Sequence, residues 1–339
     1  MRLFCHVFFL ALALRASRSM ASSSAGSQDW SSAILIIVDQ SGKGDFTKIQ
    51  DAIDAVPSNN TEPIFIRIEP GIYREKIVVP ADKPFITLSG TKAKSTIITW
   101  NEGWNTVESP TASVLASDFV GRYLTIQNTF GSSGQAIALR VAGDRVAFYG
   151  CRFFSFQDTL LDDTGRHYYT NCYIEGATDF ICGNGQALFE KCHLHSVSTN
   201  GGAITAQRRE SALDNTGYSF VSCKVTGVGV GTTFLGRPWG AYSRVVFAFT
   251  YMTNSVAAQG WDDWGDPNKQ RTAFYGQYRC YGPGSDLSGR VGWSRPLSVS
   301  EASQFVTKSW IDGRNWLRPR PAHFRNFSTL IVRSPNGSG

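Results

Sequence analysis

A repeat of 21 residues is the feature that most constrains the fold of this chain. It spans residues 148–179, where short aromatic-rich segments alternate with turn residues. A period of about 20 to 25 residues is too short for a repeat of paired helices and is typical of one coil of a parallel β-helix. The shift superimposes three pairs of residues, which are Phe148 with Tyr169, Cys151 with Cys172, and Asp158 with Asp179.

The repeat predicts that two carboxylates lie side by side. Neighbouring parallel strands are about 4.8 Å apart, so residues at the same point of successive coils form a column. Asp158 and Asp179 occupy one such point. Adjacent carboxylates repel each other, and the pKa of one is raised unless a cation compensates. Such a pair can supply a neutral acid and an ionised nucleophile at one pH. The alternative is a ladder of solvated surface aspartates.

An earlier coil extends this column toward the N-terminus. Alignment of the preceding strand segment puts Asn128 opposite Cys151, at an offset of 23 residues. The same offset from Asp158 reaches Gln135, and Gln157 lies beside the column. Amide side chains next to the carboxylates favour a functional site over a solvated ladder.

Beyond the repeat, the chain resembles plant pectin methylesterases (pectinesterases). Supporting matches extend from Val38 to about Leu297, and family-like sequence begins near Ile34. The chain is therefore expected to be the form without an inhibitor-like pro-region. Five motifs in the family's order are a specific signal, whereas one alone is weak. They are Gly71-Ile-Tyr73-Arg-Glu75, Gln135-Ala-Ile-Ala-Leu139, Gln157-Asp158-Thr159-Leu160, Asp179-Phe-Ile-Cys-Gly183 and Leu235-Gly-Arg237-Pro-Trp239.

The resemblance implies both a fold and an activity. The fold is all-β, a single right-handed parallel β-helix over residues 34–320. The activity is hydrolysis of galacturonate methyl esters in cell-wall pectin, which releases methanol. No cofactor and no metal are implied. The implied roles are Asp179 as nucleophile, Asp158 as general acid and base, Gln135 and Gln157 as oxyanion stabilisers, and Arg237 and Trp239 as substrate-binding residues, with Arg237 also paired to Asp179.

Other interpretations of these residues stay open. Arg237 can form a purely structural ion pair, and Trp239 can be a packing residue. A β-helix glycosidase also uses paired carboxylates but does not need an arginine on one of them. A polysaccharide lyase usually needs a cation site, and no acidic cluster suited to Ca²⁺ is evident. An inactive carbohydrate-binding solenoid would be signalled by loss of Asp158, Asp179 or Arg237.

Residues 1–25 have the pattern of a secretory signal peptide. Arg2 precedes an apolar run over residues 3–14, and an Ala- and Ser-rich stretch follows, ending near Ala21 or Ala25. The run is too short to span a membrane, so a secreted cell-wall protein without membrane association is expected. The net charge of +6 falls to +3 when the segment's three arginines leave. This suits a polyanionic substrate, and no basic stripe indicates nucleic acid.

One helix is predicted near Thr47–Val56, ahead of the first coil. Thr47 and Gln50 have the spacing of a capping box, and Pro57 ends the segment. Such a helix would cover the open end of the solenoid, which otherwise exposes strand edges. Its predicted apolar face consists of Ile49, Ala52, Ile53 and Val56.

Six cysteines remain after the signal segment. An even number permits disulfides in a secreted chain, and Cys192–Cys223 is the preferred bridge. Cysteines that follow successive strands can instead stack as thiols in the core. His193 and His195 alternate on one strand without a partner pair at zinc spacing, so no metal site is predicted there.

Three departures from the family pattern lie close to the motifs. Cys182 stands where Phe is usual, Leu161 stands where Tyr is frequent, and Arg208-Arg209 replaces a turn that usually contains glycine. None of them removes a catalytic group, and Cys182 neighbours the predicted nucleophile.

The remaining expectations concern partners and modification. Pectin is the expected partner, a proteinaceous pectinesterase inhibitor is a candidate partner, and a monomer is expected. Residues 321–339 are assigned to a C-terminal tail. Sequons for N-glycosylation begin at Asn59, Asn326 and Asn336.

Overall fold

Short β-strands make up nearly all of the regular structure. A computed structural model describes residues 30–105 and 108–328. The predicted signal segment lies outside the described residues. In chain order the strands are β1 (Ser32–Val38), β2 (Ile64–Ile68), β3 (Gly71–Tyr73), β4 (Ile77–Val79), β5 (Ile86–Gly90), β6 (Thr96–Trp100), β7 (Ala112–Val114), β8 (Val120–Arg122), β9 (Thr125–Asn128), β10 (Leu139–Val141), β11 (Val146–Tyr149), β12 (Arg152–Phe154), β13 (Leu160–Asp162), β14 (Arg166–Thr170), β15 (Tyr173–Gly176), β16 (Ile181–Gly183), β17 (Gln186–Glu190), β18 (His193–Ser196), β19 (Gly202–Gln207), β20 (Gly217–Val221), β21 (Lys224–Gly227), β22 (Thr233–Pro238), β23 (Arg244–Ala248), β24 (Tyr251–Met252), β25 (Phe274–Tyr278), β26 (Arg295–Pro296) and β27 (His323–Asn326).

The strands form three parallel sheets. Each coil of the chain contributes one strand to each sheet, as β13, β14 and β15 do before β16, β17 and β18 repeat the order. This is the predicted parallel β-helix. The sheet orders are β26-β25-β23-β20-β17-β14-β11-β8-β5-β2-β1-β27, β22-β19-β16-β13-β10-β7-β4 and β24-β21-β18-β15-β12-β9-β6-β3.

Stacked aromatic rings fill the centre of the solenoid. Phe148, Tyr169, Phe189, Phe220 and Phe247 occupy successive coils, with centroid separations of 5.5, 4.6, 4.5 and 4.5 Å. The planes of neighbouring rings lie within 17° of parallel. The strand spacing sets this geometry, because residues in register on parallel strands lie about 4.8 Å apart. The rings form a continuous spine, and the register of Phe148 with Tyr169 agrees with the 21-residue repeat.

Few helices accompany the strands in the described part of the chain. Helix α1 (Ile49–Asp54) contacts β1 and β4 and buries Ile49, Ala52 and Ile53 of its predicted apolar face. Val56, which follows the helix, is buried as well. The other helices are α2 (Val299–Ser303), α3 (Gly313–Trp316) and three 3-10 turns at Lys269–Arg271, Pro283–Ser285 and Lys308–Ile311. No described helix has the length and apolarity needed to cross a membrane.

The capping box predicted for α1 is wrong. The N-cap is Lys48, and no side chain at that position caps the helix. The Glu75 carboxylate from a later coil accepts the N–H groups of Ile49 and Gln50, both at 3.0 Å. A carboxylate satisfies these free N–H groups, and its negative charge interacts favourably with the positive end of the helix dipole. Glu75 in the Gly71–Glu75 motif is therefore structural.

The predicted Cys192–Cys223 disulfide is also wrong. Both cysteines are free and buried, and each lies in a column with Cys151 and Cys172. The Cys192 thiol donates to the Tyr169 carbonyl and the Cys223 thiol donates to the Phe189 carbonyl, both at 3.4 Å. Burial raises the pKa of the Cys192 thiol well above its usual value. The alternative of stacked core thiols is the one observed.

A buried polar cluster interrupts the apolar core. The His167 ring lies 2.8 Å from Asp162 Oδ2 through Nδ1 and 2.9 Å from the Gly143 carbonyl through Nε2. A carboxylate and a carbonyl both accept hydrogen bonds, so this arrangement suits a doubly protonated ring whose two nitrogens both donate. Tyr169 donates its hydroxyl to the same Asp162 oxygen at 2.6 Å. Burial alone would lower the pKa of His167, but Asp162 outweighs it and the pKa is raised. His167 and Asp162 form an ion pair with no solvent exposure.

The C-terminal residues rejoin the sheet at the opposite end of the chain. Strand β27 pairs in parallel with β1, which places His323 beside Ser32 and Asn326 beside Leu35. The regular structure thus extends past residue 320, where the sequence places the end of the solenoid.

Candidate active site

Asp158 and Asp179 lie side by side on neighbouring coils, as the repeat predicts. Gln157 pairs with Thr178 in a parallel bridge, and the Asp158 N–H donates to the Thr178 carbonyl at 3.2 Å. Both aspartates precede a strand of the seven-stranded sheet and have φ values of 61° and 50°. Asp and Asn tolerate this left-handed conformation better than most residues. The shared conformation directs two equivalent carboxylates from equivalent turns.

The coil before them is in a different register from the one predicted. Arg152 pairs with Thr125, an offset of 27 residues, so Cys151 lies beside Leu124 and not beside Asn128. The predicted offset of 23 is wrong, because the connection of residues 129–138 is longer than the equivalent connection of residues 155–159.

The two glutamines lie next to the aspartates, but Gln135 is shifted by one residue from its predicted position. The Ala136 N–H donates to the Gln157 carbonyl at 3.2 Å, which places Gln135 level with Gln157 and not with Asp158. Both glutamines are half-buried. Their amide groups make no hydrogen bond to any residue that the structure describes, so they remain free to donate to a ligand.

Arg237 contacts one aspartate of the pair at two points. Its Nε donates to Asp179 Oδ1 at 2.8 Å and its Nη2 donates to Asp179 Oδ2 at 2.5 Å. The guanidinium also lies over Trp264, with its central carbon 3.9 Å from the centroid of the Trp264 ring. A bidentate pair fixes both the charge and the orientation of the carboxylate. Arg237 therefore fixes the orientation of the Asp179 carboxylate and favours its ionised form, although the residue is only 4% exposed.

The environments of the two carboxylates separate their proton affinities. Burial, together with the neighbouring Asp179 charge, raises the pKa of Asp158 to about 7, and Arg237 only partly offsets this. Burial also raises the pKa of Asp179 above its usual value, but the hydrogen bonds and charge of Arg237 oppose the rise. The pair thus combines a carboxyl whose pKa is raised to about 7 with a carboxylate whose ionised form an arginine favours, a combination that suits acid and nucleophile roles.

The outward side chains of the seven-stranded sheet form the floor of a cleft beside the aspartates. Register places Leu161 beside Cys182, Cys182 beside Ala206, and Ala206 beside Arg237. Arg140 precedes Leu161 in the same row. A small apolar centre is thus bounded by an arginine at each end.

Two further residues complete the wall of this cleft. Trp239 follows β22 and is 39% exposed, and the exposed Arg208 follows β19. The Arg208 guanidinium lies 5.1 Å from the centroid of the Trp239 ring. Both line the same cavity as Asp158, Leu161 and Cys182. The three sequence departures at positions 161, 182 and 208 therefore meet in one place.

Sequence reasoning missed several residues that shape the site. Arg140 carries no motif, yet its Nη2 lies 2.8 Å from Asp163 and both line the cleft. Trp264 lies outside the five motifs, and its contact with Arg237 has no local signal in the sequence. Arg208 stood out only as a departure. Register counting from the Asp158–Asp179 pair could have placed Arg140 in the cleft, because Leu139 and Leu160 are also 21 residues apart.

No three His, Cys, Asp or Glu side chains are grouped as a metal ligand set within residues 30–105 and 108–328. What the described site offers is a carboxylate held by an arginine, an adjacent carboxyl of raised pKa and two free amide groups. These are the elements that acyl transfer through a carboxylate requires.

Comparisons with known proteins cover the coils that build this site. A family model described as Pectinesterase matches residues 35–314. The putative pectinesterase 11 of Arabidopsis thaliana is 60% identical over 305 residues, which are 89% of this chain and 86% of that protein. A pectin methylesterase structure from carrot has a TM-score of 0.80 and 33% identity, covering 87% of this chain and 96% of the carrot chain. A pectin methylesterase in complex with hexasaccharide VII has a TM-score of 0.72 and 26% identity, covering 87% of this chain and all of that one.

Proposed function

We propose, on the premise that this chain belongs to the pectinesterase family and hydrolyses the methyl esters of pectin, that Asp179 is its nucleophile and Asp158 its general acid and base. The observation that carries the proposal is the one-sided position of Arg237. It binds both oxygens of Asp179, whereas Asp158 has a pKa raised to about 7. Two carboxylates at the same point of neighbouring coils thus have different electrostatic environments, which supports different roles for them.

The reaction proceeds in two halves. An Asp179 oxygen attacks the ester carbonyl carbon, and the amides of Gln135 and Gln157 donate to the oxyanion that forms. Asp158 transfers its proton to the departing methoxy oxygen, so methanol leaves and an acyl-enzyme anhydride remains. Asp158, now ionised, takes a proton from water as that water attacks the anhydride carbonyl. Release of Asp179 as a carboxylate leaves the galacturonic acid unit, which loses its proton to solvent, and restores the starting enzyme with Asp158 protonated.

The cleft supports binding of a pectin chain. Trp239 exposes a flat ring beside the aspartates, which suits stacking against a sugar. A relative's complex with a hexasaccharide is consistent with an elongated saccharide site on this fold. Trp239 and Arg237 are proposed as substrate-binding residues.

Methanol release from methylated pectin tests the proposal directly. Wild-type protein should release methanol and leave the chain length of the polymer unchanged. Asp179→Asn and Asp158→Asn should each lose most of that activity while keeping the native circular dichroism spectrum, because Asn tolerates the left-handed backbone at both positions. Chain cleavage without methanol release would point to a glycosidase or lyase. Wild-type methanol release with undiminished activity in either variant would contradict the assigned roles.

Further aspects of the protein are proposed from its sequence. Residues 1–25 would direct secretion, and the protein would act in the cell wall as a glycosylated monomer whose catalytic domain spans residues 34–320. Asn59 and Asn326 are exposed, which supports modification, whereas Asn336 lies outside the described residues. A proteinaceous inhibitor is a candidate partner for the open cleft.

A further inference from the structure

We propose that Arg208, stacked on Trp239, forms a subsite for the free carboxylate of a galacturonate unit next to the ester being hydrolysed. The proposal rests on the function proposed above and specifies the substrate: a partly de-esterified chain is preferred over a fully methylated one. It is drawn from the position and charge of Arg208.

Two neighbouring strands hold Arg208 at the cleft. Gln207 pairs with Pro238, so the residues that follow, Arg208 and Trp239, leave adjacent strands side by side. The Arg208 N–H donates to the Gly183 carbonyl at 2.8 Å, and the Gly240 N–H donates to the Gln207 carbonyl at 3.1 Å. The backbone on both sides of the pair is therefore fixed, and the stacked guanidinium is directed over the exposed ring.

The other arginines of the cleft are already paired. Arg140 donates twice to Asp163, at 3.0 and 2.8 Å, and Arg237 donates twice to Asp179. Arg208 has no ion pair with a carboxylate among the described residues. Its stacking on Trp239 uses a face of the guanidinium and leaves the N–H donors at its edge free. Arg208 is thus the cation of this cleft that is available to a ligand.

The other side chains that line the cavity offer no unpaired cation to an anion. Its floor consists of the small or apolar side chains of Ile137, Leu161 and Cys182. Burial raises the pKa of the Cys182 thiol well above its usual value, so it stays uncharged. The cavity is also lined by Asp158, by Asp163 and by the arginine paired with Asp163, so an anionic group that enters it would be drawn to Arg208.

A galacturonate unit matches this arrangement. Its pyranose ring can lie against Trp239, and its planar carboxylate can accept two N–H groups from the edge of the Arg208 guanidinium. A methyl ester at the same position is uncharged and can accept only a weaker hydrogen bond. Because the reaction itself creates this carboxylate, each hydrolysed unit would make its neighbour a better substrate.

The first experiment compares substrates. Two hexagalacturonates are used, one fully methylated and one with a single methyl ester flanked by free carboxylates. The measured quantity is kcat/KM on the partly methylated substrate divided by kcat/KM on the fully methylated one. We expect this ratio to be about fivefold lower in Arg208→Gln than in wild type, which corresponds to the loss of one solvent-accessible ion pair. Arg208→Lys keeps the charge and should retain part of the ratio. Arg314→Gln removes an exposed charge from α3, which lies over the twelve-stranded sheet, and should leave the ratio at its wild-type value.

The second experiment measures binding without catalysis. Fully de-esterified hexagalacturonate should bind Arg208→Gln about fivefold more weakly than wild type by calorimetry, with a smaller dependence on salt. Unchanged binding together with an unchanged kcat/KM ratio would overturn the proposal, because Arg208 would then line the cleft without binding the carboxylate. This failure is distinct from failure of the assigned catalytic roles, since neither the ratio nor the binding constant depends on which aspartate attacks.

Discussion

Asp158 and Asp179 occupy the same position on neighbouring coils but differ in one contact, the bidentate pair that Arg237 makes with Asp179 alone. The two backbones have the same left-handed conformation, Asp179 is buried and Asp158 is half-buried. The electrostatic difference between the carboxylates therefore arises from the arginine, which contacts Asp179, and from their mutual repulsion. Equivalent geometry combined with unequal charge is what a division of labour between the two residues requires.

Burst kinetics on an ester with a good leaving group should distinguish the roles of the two aspartates. The nitrophenyl ester of galacturonate needs little protonation of its leaving group. Asp158→Asn should therefore be acylated quickly and deacylated slowly, which gives a burst of nitrophenol close to one equivalent of enzyme. Asp179→Asn lacks the nucleophile and should give no burst. On methyl esters Asp158→Asn should lose about 10²–10⁴-fold in rate. Equal impairment of Asp158→Asn on both esters, or a burst from Asp179→Asn, would mean that the roles are reversed.

Removal of the Arg237 charge should change the acid limb of the pH profile. Arg237→Gln leaves Asp179 buried beside Asp158 without its cation, so the pKa of Asp179 rises further. Since Asp179 attacks only when ionised, kcat/KM should fall by orders of magnitude and its acid limb should move to higher pH. Arg67→Gln, which breaks a surface pair with Glu69 at 2.8 Å, is the matched control and should change neither. An acid limb at the wild-type pH in Arg237→Gln would refute this explanation.

The basic limb should report Asp158. Its proton is needed for methanol to leave, and its pKa is raised to about 7. We therefore expect kcat/KM on methyl esters to fall above pH 7, by about tenfold per pH unit. The residual kcat/KM of Asp158→Asn should lack this limb, whereas Cys182→Ala should keep it at the same pH. Loss of the limb in Cys182→Ala would instead assign it to the thiol.

His167 should contribute to stability and not to catalysis. His167→Ala leaves the Asp162 carboxylate buried without its cation, which typically costs about 3–5 kcal/mol in the free energy of unfolding. The double variant His167→Ala/Asp162→Asn removes the uncompensated charge and should recover part of that loss. His323→Ala, at an exposed position, should stay within about 0.5 kcal/mol of wild type. Guanidinium unfolding measures all three, and a cost below about 1 kcal/mol for His167→Ala would mean that the pair is uncharged.

The parts of the structure that sequence could predict are those repeated at one spacing. The offset of 21 residues aligns Phe148 with Tyr169 and brings Asp158 beside Asp179, because equal coil lengths preserve register. The offset failed one coil earlier, where a longer connection moved Asn128 away from Cys151. Pattern alone does not distinguish a residue added to a turn from one added to a strand.

Contacts between residues far apart in sequence were beyond reach of the sequence. The capping box at Thr47 has the correct spacing, but the Glu75 carboxylate reaches the helix N–H groups instead. Likewise, the stacking of Arg208 on Trp239 joins positions 31 residues apart, through the pairing of two neighbouring strands. In both cases the partner is a tertiary contact that no local pattern indicates.

The spine of stacked rings also bears on how such a protein can diversify. Its five members are separated by 21, 20, 31 and 27 residues, yet neighbouring rings stay within 5.5 Å of each other. All length variation is therefore absorbed in the arcs that leave the spine and return to it. Insertions in those connections can change the walls of the cleft and leave the stacked rings in place, whereas an insertion within a spine strand would shift the register of the coils that follow. The spine therefore confines tolerated changes of chain length to the connections between its strands.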